Sequence, residues 1–189
     1  MNCKLYRYPF YFLFLFLVCQ CKQEKTTDSN NKDALFQMMP SSQTGITFNN
    51  TVTDSKDFNV FKYRNFYNGG GVAIGDVNND GKPDIFFTSN EGSCKLYINK
   101  GNWNFEDVTD KAGLRGIHKW HTGVTMVDIN GDGWLDIYIC NSGEIKGDDR
   151  ANELYINQKD GTFKEMAHEY GLDDKGYSTQ AVFFDYDHD

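Results

Sequence analysis

Asp76-Val77-Asn78-Asn79-Asp80-Gly81-Lys82-Pro83-Asp84 decides the fold of this chain, because Asp128-Ile129-Asn130-Gly131-Asp132-Gly133-Trp134-Leu135-Asp136 repeats it in the form D-x-N-x-D-G-x-x-D. Asp185-Tyr186-Asp187-His188-Asp189 opens a third copy. Oxygen-bearing side chains at alternate positions, followed by a glycine that permits a sharp reversal, let a short loop wrap around a hard cation. Calcium is the natural occupant, since it takes about six to eight oxygens in a forgiving geometry. An ordinary Asx-turn uses the same residue types. Recurrence of the complete pattern at corresponding places is what favours the metal.

An EF-hand loop begins in the same way but needs a Glu at its twelfth position and a helix on each side. Phe87 and Ile139 hold that position here. Neither binds a cation, so the carboxylate at the ninth position, Asp84 or Asp136, is expected to close the ring. The flanks agree with β-hairpins. Gly71-Val72-Ala73-Ile74-Gly75 leads into the first loop and Ile85-Phe86-Phe87-Thr88 leads out, both short and β-prone.

The repeat extends beyond the loops. Leu96-Tyr97-Ile98-Asn99 returns as Leu154-Tyr155-Ile156-Asn157, Phe105 as Phe163 and Gly113-Leu114 as Gly171-Leu172. Loop-to-loop spacing is 52 residues (76 to 128) and then 57 (128 to 185), the difference lying largely in the polar insertion from Gly143 to Arg150. Four strands are expected per unit, at 71–75, 84–88, 95–99 and 103–108, then at 123–127, 136–140, 153–157 and 162–166. Four short strands repeated at about fifty residues mark a β-propeller blade. The expected fold is therefore all-β, with about two blades and part of a third over residues 45–189. Trp103, Phe105, Phe163, Tyr97 and Tyr155 are read as packing residues between blades. Since a propeller ring needs roughly four to eight blades, further loops of the same form are expected beyond Asp189.

With these motifs in hand, the chain resembles the FG-GAP/VCBS repeat family, whose calcium-loop blades also build integrin alpha-chain propellers. The continuation through Leu-Tyr-Ile-Asn, Gly-x-Phe and Gly-Leu is similar to bacterial surface proteins related to cartilage acidic protein, which carry an ASPIC/UnbV domain further on. That resemblance implies a ring of seven blades when complete. It also implies calcium held by Asp76, Asn78, Asp80 and Asp84, by Asp128, Asn130, Asp132 and Asp136, and in part by Asp185, Asp187 and Asp189. The backbone carbonyls of Lys82 and Trp134 would fill the seventh loop position.

The amino terminus carries a targeting pattern. Lys4 and Arg7 precede an apolar stretch, Pro9 to Val18, that is short for a bilayer span of about 20 residues but suits a signal-peptide core. Cys19 and Cys21 end it, and a polar run from Lys22 to Asp33 follows. This resembles a bacterial lipoprotein signal over residues 1–21, with Cys21 lipidated and Cys19 the alternative, and with a flexible tether over 22–44.

A net charge of −8 with no basic patch argues against nucleic acid as a partner. Beyond the signal region only Cys94 and Cys140 remain; they are not at equivalent repeat positions and read as small buried residues. No catalytic constellation emerges. His118-Lys119-Trp120-His121 lacks the Glu of a zinc-protease helix, the Asp148-Asp149 pair sits beside Arg150, and Gly69-Gly70-Gly71 precedes a strand and not a helix. The reading is a non-enzymatic, calcium-binding propeller, exported and lipid-anchored at the outer membrane or surface of a bacterium, where it binds an extracellular protein or glycan. The alternative is an accessory or scaffold domain of an exported polysaccharide-active enzyme.

Overall fold

Each acidic loop joins two antiparallel strands in the same register, pairing Gly75 with Asp84 in one unit and Val127 with Asp136 in the other. The computed structural model describes residues 35–143 and 150–187. The expectations for residues 1–34, for Asp148 and Asp149 and for His188 and Asp189 lie outside that range.

Of two compact units, Met1–Gln37 and Met38–Asp189, the second carries all the secondary structure among the described residues. It opens with α1 (Ser41–Thr44), a single turn that ends at Gly45 with φ 75°. Thr44 is buried, so the stretch read as a tether is already structured at its end. The first sheet consists of β1 (Val72–Gly75), β2 (Asp84–Phe87), β3 (Lys95–Asn99) and β4 (Phe105–Asp107). After the short α2 (Thr109–Ala112) comes the second sheet, with β5 (His121–Val127), β6 (Asp136–Asn141), β7 (Glu153–Asn157) and β8 (Phe163–Glu165). Both are meanders in chain order, β1-β2-β3-β4 and β5-β6-β7-β8. These are two blades, as the spacing of the repeat implies.

The core lies between the sheets. Ala73, Phe86, Leu96 and Ile98 of the first blade pack with Val124, Ile137, Ile139 and Tyr155 of the second. Alternation along β6 sends Tyr138 and Cys140 to the opposite face, where Ala181 and Phe183 cover them. All six residues of β6 are consequently buried, as befits a strand covered on both faces. The first blade has a neighbour sheet on one side only. On its other side Val72 and Ile74 are exposed, and Phe48 stacks on Phe87 with ring centres 4.8 Å apart.

One step relates successive blades. The N–H of Trp120 donates to the carbonyl of Asn90, and the N–H of Ser178 repeats this on Asn141. Gly71 lies so close to Thr122 and Gly123 that a Cβ would stand 2.8 Å from the Thr122 carbonyl oxygen. Gly123 is pressed in the same way against Thr179 and Gln180. Residues 178–187 thus take the place of a third inner strand, although no strand is formed there.

Four of the five aromatic residues expected to pack are buried or partly so. Tyr155 and Phe163 lie in the interface between blades. Tyr97 and Phe105 are buried, but Tyr97 packs edge-on to Phe87 and accepts a hydrogen bond from the N–H of Thr47, so the segment before β1 covers it. Trp103 departs from the expectation. It is 66% exposed, because a left-handed turn at the end of the β3–β4 hairpin carries it away from both faces of the sheet. Cys94 and Cys140 are free and buried, and burial pushes their thiols up to about 12 and about 11.

Candidate metal centre

Loop 1 is organised around one backbone N–H. That of Asp80 donates to Asp76 Oδ1 at 3.1 Å and to Asn78 Oδ1 at 3.0 Å, which draws two side-chain oxygens to one point. Gly81 N–H donates to Asp76 Oδ2 at 2.7 Å, and Lys82 N–H to Asp80 Oδ1 at 2.9 Å. Loop 2 repeats each bond. Asp132 N–H meets Asp128 Oδ1 and Asn130 Oδ1, both at 3.0 Å, Gly133 N–H meets Asp128 Oδ2 at 2.8 Å, and Trp134 N–H meets Asp132 Oδ1 at 2.9 Å. The reversal needs left-handed backbone at the fourth and sixth positions. Asn79 (φ 56°) and Gly81 (φ 80°) supply it in loop 1, and Gly131 (φ 70°) and Gly133 (φ 84°) in loop 2.

A lysine meets the fifth-position carboxylate in each loop. Lys82 Nζ lies 3.1 Å from Asp80 Oδ2 and Lys159 Nζ lies 3.3 Å from Asp132 Oδ2. The Lys82 side chain, by its hydrogen bond, holds the Asp80 carboxyl below the usual carboxylate range. Partial burial of Asp132 is outweighed by the Trp134 N–H and Lys159, so it too lies low.

The ninth-position carboxylates have a structural task that the motif alone does not disclose. Asp84 and Asp136 are fully buried. Asp84 accepts from the N–H groups of Val77 and Asn99, at 3.0 and 2.8 Å, and Asp136 from those of Ile129 and Asn157, at 3.1 and 2.8 Å. Each ties the second residue of its loop to the end of the third strand of its sheet. Burial pushes both carboxyls above the usual range despite these bonds.

The donor set fits a hard divalent cation. Each loop presents only carboxylate, amide and carbonyl oxygens, with no imidazole or thiolate, and every oxygen bonded to one N–H keeps a further lone pair. Within the described residues no three of His, Cys, Asp and Glu are already clustered as a metal site. A bound ion would therefore have to draw in Asp76, Asn78 and Asp80, together with the Lys82 carbonyl and the braced Asp84, and likewise their counterparts in loop 2. Asp185 and Asp187 are described and exposed, on a segment with no loop formed. His121 of the His-x-x-His run is buried and bonded through Nδ1 to Asn141 Oδ1 at 2.6 Å.

Sequence reasoning passed over the asparagine that closes each Leu-Tyr-Ile-Asn run. Asn157 bonds Asp136 through its N–H, and its side-chain amide reaches the Leu135 carbonyl and, across the blade boundary, the Val77 carbonyl of loop 1 at 2.8 Å. Asn79 of loop 1 donates in turn to the Gly133 carbonyl of loop 2. Recurrence of the asparagine in both runs was the available signal.

Comparison with known proteins agrees with this geometry. Residues 76–139 match the FG-GAP-like repeat family, from the first residue of loop 1 to β6 of the second blade. Cartilage acidic protein 1 of Xenopus tropicalis is 36% identical over 78 residues, which are 41% of this chain and 12% of that protein. The mouse protein of the same name is 36% identical over 73 residues (39% and 11%), and the human one 36% over 76 residues (40% and 12%). The chain thus spans about an eighth of the length of the curated relatives it matches. With two four-stranded blades, each hinged on the same acidic loop, the chain carries FG-GAP-like repeat sequence over residues 76–139.

Proposed function

We propose that this protein is a non-enzymatic, calcium-stabilised binding module, exported and held at a bacterial surface by lipid on Cys21, where it engages an extracellular protein or glycan. The observation that carries the calcium reading is the bond-for-bond repetition of one all-oxygen loop in two blades. Clustered carboxylates repel one another in the metal-free loop, and a divalent cation reverses that repulsion. Extracellular calcium modules bind at about 10⁻⁴ to 10⁻³ M, and at about 100 times the dissociation constant each site adds about 2.7 kcal/mol of stability. Calcium should therefore raise the melting midpoint over that in EGTA at matched ionic strength, and Asp132→Ala should remove one site's share. Magnesium, which demands small octahedral geometry, should act weakly. An unmoved midpoint, or an equal response to magnesium, defeats the calcium reading.

A binding role also suits the buried polar groups. Glu153, His121 and Tyr155 form a bonded cluster closed to solvent, and both thiols are held protonated by burial. No helix among the described residues is long and apolar enough to cross a membrane. For the lipid anchor, Cys21→Ser should move the protein from the membrane fraction to the soluble fraction. Unchanged fractionation of both Cys21→Ser and Cys19→Ser excludes it.

A further inference from the structure

Trp103 stands in a turn that disfavours any side chain. Gly101, Asn102 and Trp103 have φ of 87°, 53° and 61°, three left-handed residues in a row, and a Cβ in that region crowds the backbone. The equivalent turn of the second blade places its non-glycine left-handed residue elsewhere: Lys159 takes φ 65° at the position of Gly101, and glycine stands at the position of Trp103. Gly161 takes φ 84°, and Asp160 Oδ1 accepts from the N–H and hydroxyl of Thr162. In the first blade tryptophan replaces the glycine, and the Asn102 side chain makes no hydrogen bond among the described residues. Strain of this kind persists where another requirement maintains it.

That requirement is not packing. Trp103 is one of the most exposed large side chains on the blade. Its counterpart Gly161 belongs to a blade whose face is covered by the first sheet, yet a Cβ there would meet nothing within 4 Å. A sheet stacked on the first blade by the same step would therefore leave the Trp103 position open. The indole borders a groove of about 540 Å³ that runs from Asn102, Lys82 and Pro83 onto Ile74 and Ile85 of the first sheet.

We propose that Trp103 is the stacking platform of a binding site for a neutral glycan. The indole offers a flat apolar face to the C–H face of a sugar ring, and the Asn102 amide both donates to and accepts from hydroxyl groups. Charge favours a neutral ligand. Lys82 is engaged by Asp80 at 3.1 Å, the adjoining loop is acidic and the chain carries a net charge of −8, which disfavours an anionic partner. This inference specifies the ligand-binding half of the proposed function and does not depend on calcium.

The test is affinity electrophoresis of the chain through gels holding laminarin, xyloglucan or galactomannan, with alginate as the anionic comparison, for the wild type, Trp103→Gly and Trp103→Phe. At least one neutral polymer should retard the wild type. Trp103→Gly should weaken that association about tenfold or more without lowering the melting midpoint, since glycine relieves the turn, and Trp103→Phe should keep part of the affinity. The proposal is overturned if no neutral polymer retards the wild type, if only alginate does, or if Trp103→Gly binds as well. It is overturned equally if Trp103→Gly lowers the midpoint along with binding, since Trp103 is then a packing residue. Calcium melts of the wild type separate the two readings: a calcium response in a wild type that no neutral polymer retards defeats this inference alone.

Discussion

Asp136→Ala is expected to destabilise the calcium-free protein by about 2–6 kcal/mol, because it strands the N–H groups of Ile129 and Asn157 in a buried site at about 1–3 kcal/mol each. Asp132→Ala, whose carboxylate is only partly buried, should change it by only about 0.5 kcal/mol when calcium is absent. Urea denaturation in EGTA compares the two, and equal losses contradict the bracing role. The pH dependence has a definite sign. Burial raises the Asp136 carboxyl above its ordinary value, so its contribution is fully present below the unfolded pKa of about 3.9 and is lost as pH rises through the higher folded value. The stability of the wild type relative to Asp136→Asn should accordingly improve on acidification through that window. A flat or opposite trend refutes the assignment.

Glu153→Ala should cost about 3–5 kcal/mol, the range for breaking a buried charged network on one side. Glu153 is fully buried and accepts from the N–H groups of Ile117 and His118, the Asn141 amide and the Tyr155 hydroxyl. His121 Nδ1 lies 3.6 Å away. The connection between the blades is thereby fastened to the second sheet, and Ala cannot replace any of the bonds. Burial alone would raise this carboxyl, but His121, the Tyr155 hydroxyl and the N–H groups of Ile117 and His118 outweigh it and the net direction is downward. Its sign is thus opposite to that of Asp136. The contribution is present above the unfolded value of about 4.3 and is lost as pH falls through the lower folded one. Acid titration of stability for the wild type against Glu153→Gln checks it, and a wild-type advantage that grows on acidification would count against the ionised network.

Much of this architecture was legible because it is local. The D-x-N-x-D-G-x-x-D spacing specifies where the chain reverses, the ninth residue opens the next strand, and so hairpin register follows from loop length. Alternating apolar residues then account for strand order in each blade. Glu153 escaped notice for a related reason: repeats draw attention to what recurs, and its counterpart in the first blade is Lys95, paired at the surface with Asp107.

Spacing could not reveal which carboxylates face solvent and which are entombed, since Asp80 and Asp84 carry the same charge four residues apart. That depends on where the third strand of each sheet ends and on the stacking of one sheet over another. Asn157 reaches Val77 across 80 residues of sequence only because of that stacking. The exposure of Trp103 has the same origin. An aromatic residue between β3 and β4 suits a core equally well, and the left-handed turn places it in the open. Short-range spacing and glycine therefore set the blades and their loops, whereas the burial of each polar and aromatic group was decided by contacts between distant segments, whose energies depend on what comes to lie opposite them.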